Sequence, residues 1–128
     1  FFKELRLGTG HKKGAEQGID AYVMNLWPSK NFQSIAFEIK VTRSDFLREL
    51  ANPLKRYPAM TVSNQFFFVT PEGLVDVDEI PTLCGLMEVS EFGDVTVVKK
   101  AVVRPKQSPT WDFMASVCRR VARAEKLK

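Results

Sequence analysis

The chain has 128 residues, 45% hydrophobic and 27% charged, a size and balance that suit one globular domain with its own core. Its net charge of +4 admits a polyanionic partner without requiring one. A single histidine and two isolated cysteines exclude a His-cluster zinc site and a CxxC metal pair, and no apolar run reaches the roughly 18 residues of a membrane span.

No signal peptide is visible. Cys84 and Cys118 read as free thiols of a reducing compartment, which places the expected location in the cytoplasm, with a disulfide between them left open. The chain opens Phe1-Phe2 rather than with Met, so it reads as part of a longer protein with a truncated N-terminus.

Phe1 to Leu7 reads as the end of a helix, with Phe2 and Leu5 on one face, broken at Gly8-Thr9-Gly10. His11 to Gly18 is a polar, glycine-bearing loop. Ile19 to Met24 and Ser34 to Val41 alternate as strands, joined into a hairpin through Trp27-Pro28-Ser29-Lys30-Asn31. Thr42 or Ser44 caps a following helix, Thr42 with Asp45 three residues on, and Phe46, Leu47, Leu50 and Leu54 form its apolar face. Asn52-Pro53 ends that helix or opens a new short one, and Tyr57-Pro58 terminates it.

Gln65 to Thr70 (QFFFVT) is the continuous apolar run of a strand buried on both faces. Pro71-Glu72-Gly73 is a turn, and Leu86 to Ser90 with Val95 to Val98 form a second hairpin. Ser108-Pro109 opens a last helix, with Trp111, Met114, Cys118 and Val121 at helical spacing and Arg119, Arg120, Arg123 and Lys126 on the other face. The expected fold is α/β, a mixed sheet flanked by helices, in one domain spanning 1–128. The second and third strands are parallel neighbours through a helical crossover.

IAFEIKVTRSDF, Ile35 to Phe46, carries the chemistry. Alternation puts Ile35, Phe37, Ile39 and Val41 on one side and Ala36, Glu38 and Lys40 on the other. Asp20 begins the preceding strand, so hairpin pairing brings it to Glu38 on one face. Two close carboxylates repel unless a cation or a shared proton joins them. Mg²⁺ suits such a pair, with the Ile39 carbonyl as a further ligand and Lys40 placed to stabilise phosphate charge. The bland reading of Glu-x-Lys on a strand is an exposed surface pair. An acid on the neighbouring strand and an apolar flank favour the site.

Asp20 and Glu38-Ile39-Lys40, on a hairpin followed by a helix, resemble the PD-(D/E)xK nuclease superfamily. EIKVTRSDF is similar to the E-[IV]-K-x-[ST]-R-x-D-F run of MmcB-like DNA repair proteins. Lys55, Tyr57 and the aromatic strand FFFVTP extend the likeness across about Ile19 to Pro71. Ile19 stands where the superfamily has proline, and Asn64-Gln65 replaces a Cys-Asp pair. The resemblance implies a restriction-endonuclease-like core and a divalent-metal-dependent hydrolase acting on DNA phosphodiesters in repair or processing, leaving 5′-phosphates. Mg²⁺ is the implied metal, with Mn²⁺ able to substitute. Asp20 and Glu38 become metal ligands and Lys40 the catalytic lysine. The superfamily's helix glutamate falls on Glu4, with Glu16 the other candidate.

Lys12 and Lys13 in the first loop, and Arg43, Lys55 and Arg56 near the helix, are the candidate nucleic-acid contacts, each equally readable as solvated charge. Trp27 and Phe32 read as packing residues rather than base-stacking ones. Asp45 reads as a cap or an Arg43 partner. DNA is the expected partner and a membrane is not. A homodimer stays open. The rival reading is a non-catalytic nucleic-acid-binding module on the same fold. It would be expected to have lost one of Asp20, Glu38 and Lys40, and all three are present.

Overall fold

A computed structural model describes residues 2–6, as backbone, and residues 18–126. Six strands form one sheet in the order β1-β2-β3-β4-β5-β6: β1 Phe2–Arg6, β2 Gly18–Met24, β3 Ser34–Ile39, β4 Gln65–Pro71, β5 Gly85–Val89 and β6 Val95–Lys99. The sheet is mixed. β3, β4 and β5 run parallel, while β1–β2, β2–β3 and β5–β6 are antiparallel. The expected class, the two hairpins and the parallel β3–β4 pair are all present. Among the described residues no helix is long and apolar enough to cross a membrane.

The N-terminal segment departs from expectation. Phe2–Arg6 is a strand beside β2, not a helix. In so short a piece, Phe2 and Leu5 fit a helical face, yet the segment extends the sheet at its β2 edge. α1 spans Arg43–Leu50, capped as expected: the Thr42 hydroxyl accepts the Asp45 N–H at 3.2 Å. A 3-10 turn at Pro53–Lys55 follows, and α2 covers Tyr57–Thr61. Tyr57-Pro58 therefore opens a helical turn rather than closing one, since proline at the first positions lacks only an N–H that has no helical acceptor.

The core lies where the aromatic run of β4 meets the helices. The registers place Tyr22, Ala36 and Phe66 in one cross-strand row and Glu38, Phe68 and Leu86 in another. Phe46 of α1 meets Phe68 edge-on at 5.6 Å, and Phe66 meets Phe68 at 5.5 Å. On the opposite sheet face, Phe37 stacks on Phe67 at 6.1 Å.

α3, Trp111–Lys126, lies along β1 and turns a different face inward than its spacing suggested. Phe113 and Ser116 are buried, with Phe113 edge-on to Tyr22 at 5.3 Å. Trp111, Met114, Cys118 and Val121 face solvent. The cap is Thr110, whose hydroxyl accepts the Phe113 N–H at 3.1 Å, and not Ser108. Leu47 and Leu54 are likewise exposed. Cys84 is buried and Cys118 exposed, both as free thiols.

Gly85 begins β5 where the chain after β6 crosses over it. A Cβ there would lie 2.4 Å from Phe67 Cε1 and 2.7 Å from the Ala101 backbone nitrogen. Gly85→Ala is expected to lower stability by roughly 1–3 kcal/mol, because one clash is with main chain. Urea denaturation reads this directly, and an unchanged midpoint would show that the crossover yields freely.

Candidate functional site

The β2–β3 register pairs Ala21 with Phe37, and one step on brings Asp20 opposite Glu38. Residues opposed across antiparallel strands share a face, so the two carboxyl groups stand side by side. Asp20 Oδ2 accepts the Ile39 N–H at 2.8 Å, which fixes the carboxylate against the β3 backbone. β1 extends the row. Lys3 pairs with Ala21 and Leu5 with Ile19, so the register position opposite Asp20 is Glu4. Glu4 is thus a strand residue rather than the expected helix residue, and its backbone lies in line with Asp20 and Glu38. Lys12, Lys13 and Glu16 lie outside the described residues.

Lys40 follows the last residue of β3. Its N–H donates to the Val69 carbonyl at 3.0 Å, carrying the parallel ladder one residue further and setting the side-chain direction. The ammonium lies 3.1 Å from Glu38 Oε1 and 3.3 Å from Glu49 Oε1. Glu49 Oε2 is 3.3 Å from Arg56 Nη1, which also donates to the Glu49 carbonyl at 2.8 Å. The Arg56 guanidinium sits 5.6 Å from the centroid of the Phe68 ring, over its face. The site is therefore a line of alternating charge: Glu38, Lys40, Glu49, Arg56.

Glu49 was not singled out in the sequence. It lies three residues after Phe46 and one before Leu50, on the buried face of α1. That i, i+3, i+4 spacing was the available signal, but it is read for apolar side chains and passes over an acid.

Charge and burial leave Glu38 the strained member. Three acids (Asp20, Glu38 and Glu49) face two bases (Lys40 and Arg56). Burial, and then the Asp20 charge, push the Glu38 carboxyl up to about 7, against the opposing pull of Lys40. Burial pulls Lys40 down, but Glu38 and Glu49 outweigh it and hold the ammonium above its ordinary value. Lys40 therefore has a second carboxyl partner in Glu49 beside Glu38.

The candidate phosphate contacts divide. Lys55 is exposed and lines the small cavity of about 100 Å³ that Lys40 and Glu49 also line. Arg56 is buried against Glu49 and Phe68, so it is an internal counter-ion and not a surface contact. Arg43 grips Glu79 with both terminal nitrogens, at 3.0 and 2.6 Å, and the Leu74 carbonyl at 3.0 Å, tying α1 to the β4–β5 connection. Asp45 pairs with Arg48 at 3.2 Å and not with Arg43. Trp27 and Phe32 are exposed on the hairpin turn rather than packed. Among the described residues, no three Asp, Glu, His or Cys side chains converge as a metal cage. A cavity of about 650 Å³ is lined mainly by apolar residues such as Ile39, Val69, Val89 and Phe92, with Glu72 and Glu91 but none of the site's charged groups.

No family model matches the chain, and no curated protein matches it. A solved protein of unknown function from Silicibacter pomeroyi is similar in structure, with a TM-score of 0.59 and 18% identity, over 97% of this chain and 73% of that one. The likeness concerns the fold alone.

Two outcomes follow from the charge line. Glu49→Ala leaves Arg56 buried without a carboxylate and takes one partner from Lys40. The expected loss is about 3–5 kcal/mol, read by chemical denaturation, with Glu49→Gln less severe. The second concerns pH. Folding raises the Glu38 pKa from 4.5 to about 7, so the folded protein binds this proton more tightly than the unfolded chain. The resulting stability is fully present below the unfolded value and is lost as pH rises through about 7. In chelator, the metal-free protein should lose on the order of 2–3 kcal/mol from this group between about pH 5 and pH 8. Glu38→Gln should remove that slope, and a slope unchanged in the variant would assign it elsewhere.

Proposed function

We propose that the chain is a divalent-metal-dependent nuclease on a restriction-endonuclease-like core, hydrolysing DNA phosphodiester bonds. The observation that carries the reading is the juxtaposition of Asp20 and Glu38 with a lysine held over Glu38 by a second, buried acid. A surface Glu-x-Lys pair has no need of the Glu49–Arg56 support behind it.

The donor set fits Mg²⁺. Asp20 and Glu38 offer hard oxygens, as does the Ile39 carbonyl between Glu38 and Lys40. Mg²⁺ is usually held by one or two carboxylates together with waters and substrate phosphate oxygens. Burial and then the Asp20 charge raise the Glu38 carboxyl, and a divalent cation would offset the Asp20 part of that rise. When bound, such a metal supplies Lewis acidity toward the phosphate and a lowered pKa for water.

The remaining roles belong to the chain. Lys40 presents a fixed positive charge to the non-bridging oxygens, where charge grows as the phosphate is attacked. Its two carboxylate partners favour the ammonium form. Glu49 and Arg56 keep the side chain from folding away. Lys55, exposed beside them, is placed to hold the strand by a neighbouring phosphate.

The test is cleavage of single-stranded, duplex, nicked and branched DNA, with RNA beside them, in Mg²⁺ and in Mn²⁺. Asp20→Asn and Lys40→Ala are each expected to lower the rate by about a hundredfold or more. Metal should raise thermal stability at about pH 8 more than at about pH 5.5, because Glu38 must lose its proton to bind it. Cleavage that survives both substitutions would sink the assignment. Binding of DNA without cleavage of any substrate would favour the non-catalytic module.

A further inference from the structure

A second cavity, about 500 Å³, lies between α2, the Pro81–Cys84 turn and the Arg104–Gln107 segment. Its apolar walls include Pro53, Met60, Leu83 and Pro105, and Tyr57 stands at its edge, 63% exposed. Arg56 and Arg104 are among its lining residues, and no described Asp or Glu is. Arg56 has its carboxylate in Glu49. Burial pushes the Cys84 thiol up, so it supplies no anion either.

Arg104 is held in place without being neutralised. Its N–H donates to the Asn64 carbonyl and its carbonyl accepts from Asn64 Nδ2, both at 2.8 Å. Nη1 donates to the Met60 carbonyl at 3.0 Å. Nε and Nη2 are buried and have no partner among the described residues. These two nitrogens form one edge of the guanidinium, with parallel N–H bonds at the spacing of two oxygens of a carboxylate or phosphate. Buried donors without acceptors are uncommon, because each forfeits its hydration and gains nothing in return.

We propose that this cavity is a phosphomonoester site, taking a 5′-phosphorylated nucleotide with the phosphate on the free edge of Arg104 and the base against Tyr57 and the proline walls. The volume suits a ligand of that size. The choice of phosphate over carboxylate rests on the nuclease reading, in which 5′-phosphates are the product. Because both nitrogens are covered, seating an oxyanion requires a small outward shift of the Arg104–Gln107 segment. That segment meets α2 through the Gln107 N–H, 2.7 Å from the Thr61 carbonyl.

The test uses metal-free protein in chelator, so that phosphate cannot bind through a cation. The probes are inorganic phosphate, a nucleoside 5′-monophosphate, and one oligonucleotide carrying either a 5′-phosphate or a 5′-hydroxyl. Calorimetry gives affinities, and the Arg104 Nε–H resonance reports hydrogen bonding at the proposed atom. The monophosphate is expected to bind and shift that resonance. Arg104→Gln should weaken binding roughly 10- to 100-fold. Arg104→Lys keeps the charge without the fork and should still lose most of the affinity. Tyr57→Ala should weaken the nucleotide but not inorganic phosphate.

Preference for the phosphorylated over the hydroxyl oligonucleotide would identify a strand end as the ligand, and binding of the monophosphate alone a free nucleotide. Lys40→Ala should abolish cleavage and leave this binding intact. Phosphate binding at Arg104 in a protein that cleaves nothing would keep the pocket and discard the nuclease. An unmoved Arg104 resonance with every probe, or equal binding by Arg104→Gln, would overturn the pocket.

Discussion

The site depends on burying one carboxylate. The Glu49 side chain is 1% exposed, and a carboxylate so placed is tolerable only when cations and hydrogen bonds replace its lost water. Two cations do so from different elements: Lys40 after β3, and Arg56 at the head of α2. The acid therefore locks three pieces of the chain together. α1 must turn its Phe46–Glu49–Leu50 face inward, the 3-10 turn at Pro53–Lys55 must return Arg56 beneath it, and β3 must end so that Lys40 points toward α1. Phe68 stacked under Arg56 closes the arrangement from the sheet side.

That lock has a consequence one strand away. With Glu49 shared between both cations, Lys40 is the positive charge paired with Glu38 among the described residues. Lys40 draws the Glu38 carboxyl down, but burial, the larger cause, and then the Asp20 charge outweigh it and leave that carboxyl raised. A protein built only for stability could replace Asp20 by Asn or Ser, which can still accept the Ile39 N–H. Keeping a full charge there makes sense if a cation is to come. On the proposed reading, the metal and the lysine then stand on the two sides of Glu38, one drawn by the excess charge and the other held by Glu49.

Much of this was legible because it rests on short-range rules. Alternation marked β2 and β3, the unbroken Phe66-Phe67-Phe68 run marked a strand covered on both faces, and the spacing of Asp20 from Glu38 predicted their meeting across the hairpin. Of the two cap candidates, Thr42 and Ser44, Thr42 takes the position. What failed was the choice between two faces that local pattern leaves equal. In α3, Trp111-Met114-Cys118-Val121 is as regular a stripe as Phe113-Ser116-Val117. Phe113 is the one that meets the Tyr22 ring, brought there by β2. In α1, a charged residue inside an apolar face is discounted by any periodicity argument, so Glu49 was passed over while Leu47 and Leu54 were counted. Phe2–Arg6 is too short for its period to separate helix from strand, and pairing with β2 decides it.

The two arginines bring the argument to its sharpest contrast. Arg56 and Arg104 line one cavity, and each is anchored by a carbonyl within its own surroundings, that of Glu49 for Arg56 and that of Met60 for Arg104. For Arg56 the chain completes the set with a carboxylate and an aromatic ring, so nothing in its environment asks for a ligand. For Arg104 the chain stops at one terminal nitrogen and leaves the opposite edge without an acceptor. Packing alone does not account for the difference, since an apolar residue at position 104 would fill the same wall without stranding two donors. On the proposed reading, Arg104, held at its backbone N–H and carbonyl and at one terminal nitrogen, offers that leftover edge to an oxyanion once the Arg104–Gln107 segment shifts outward.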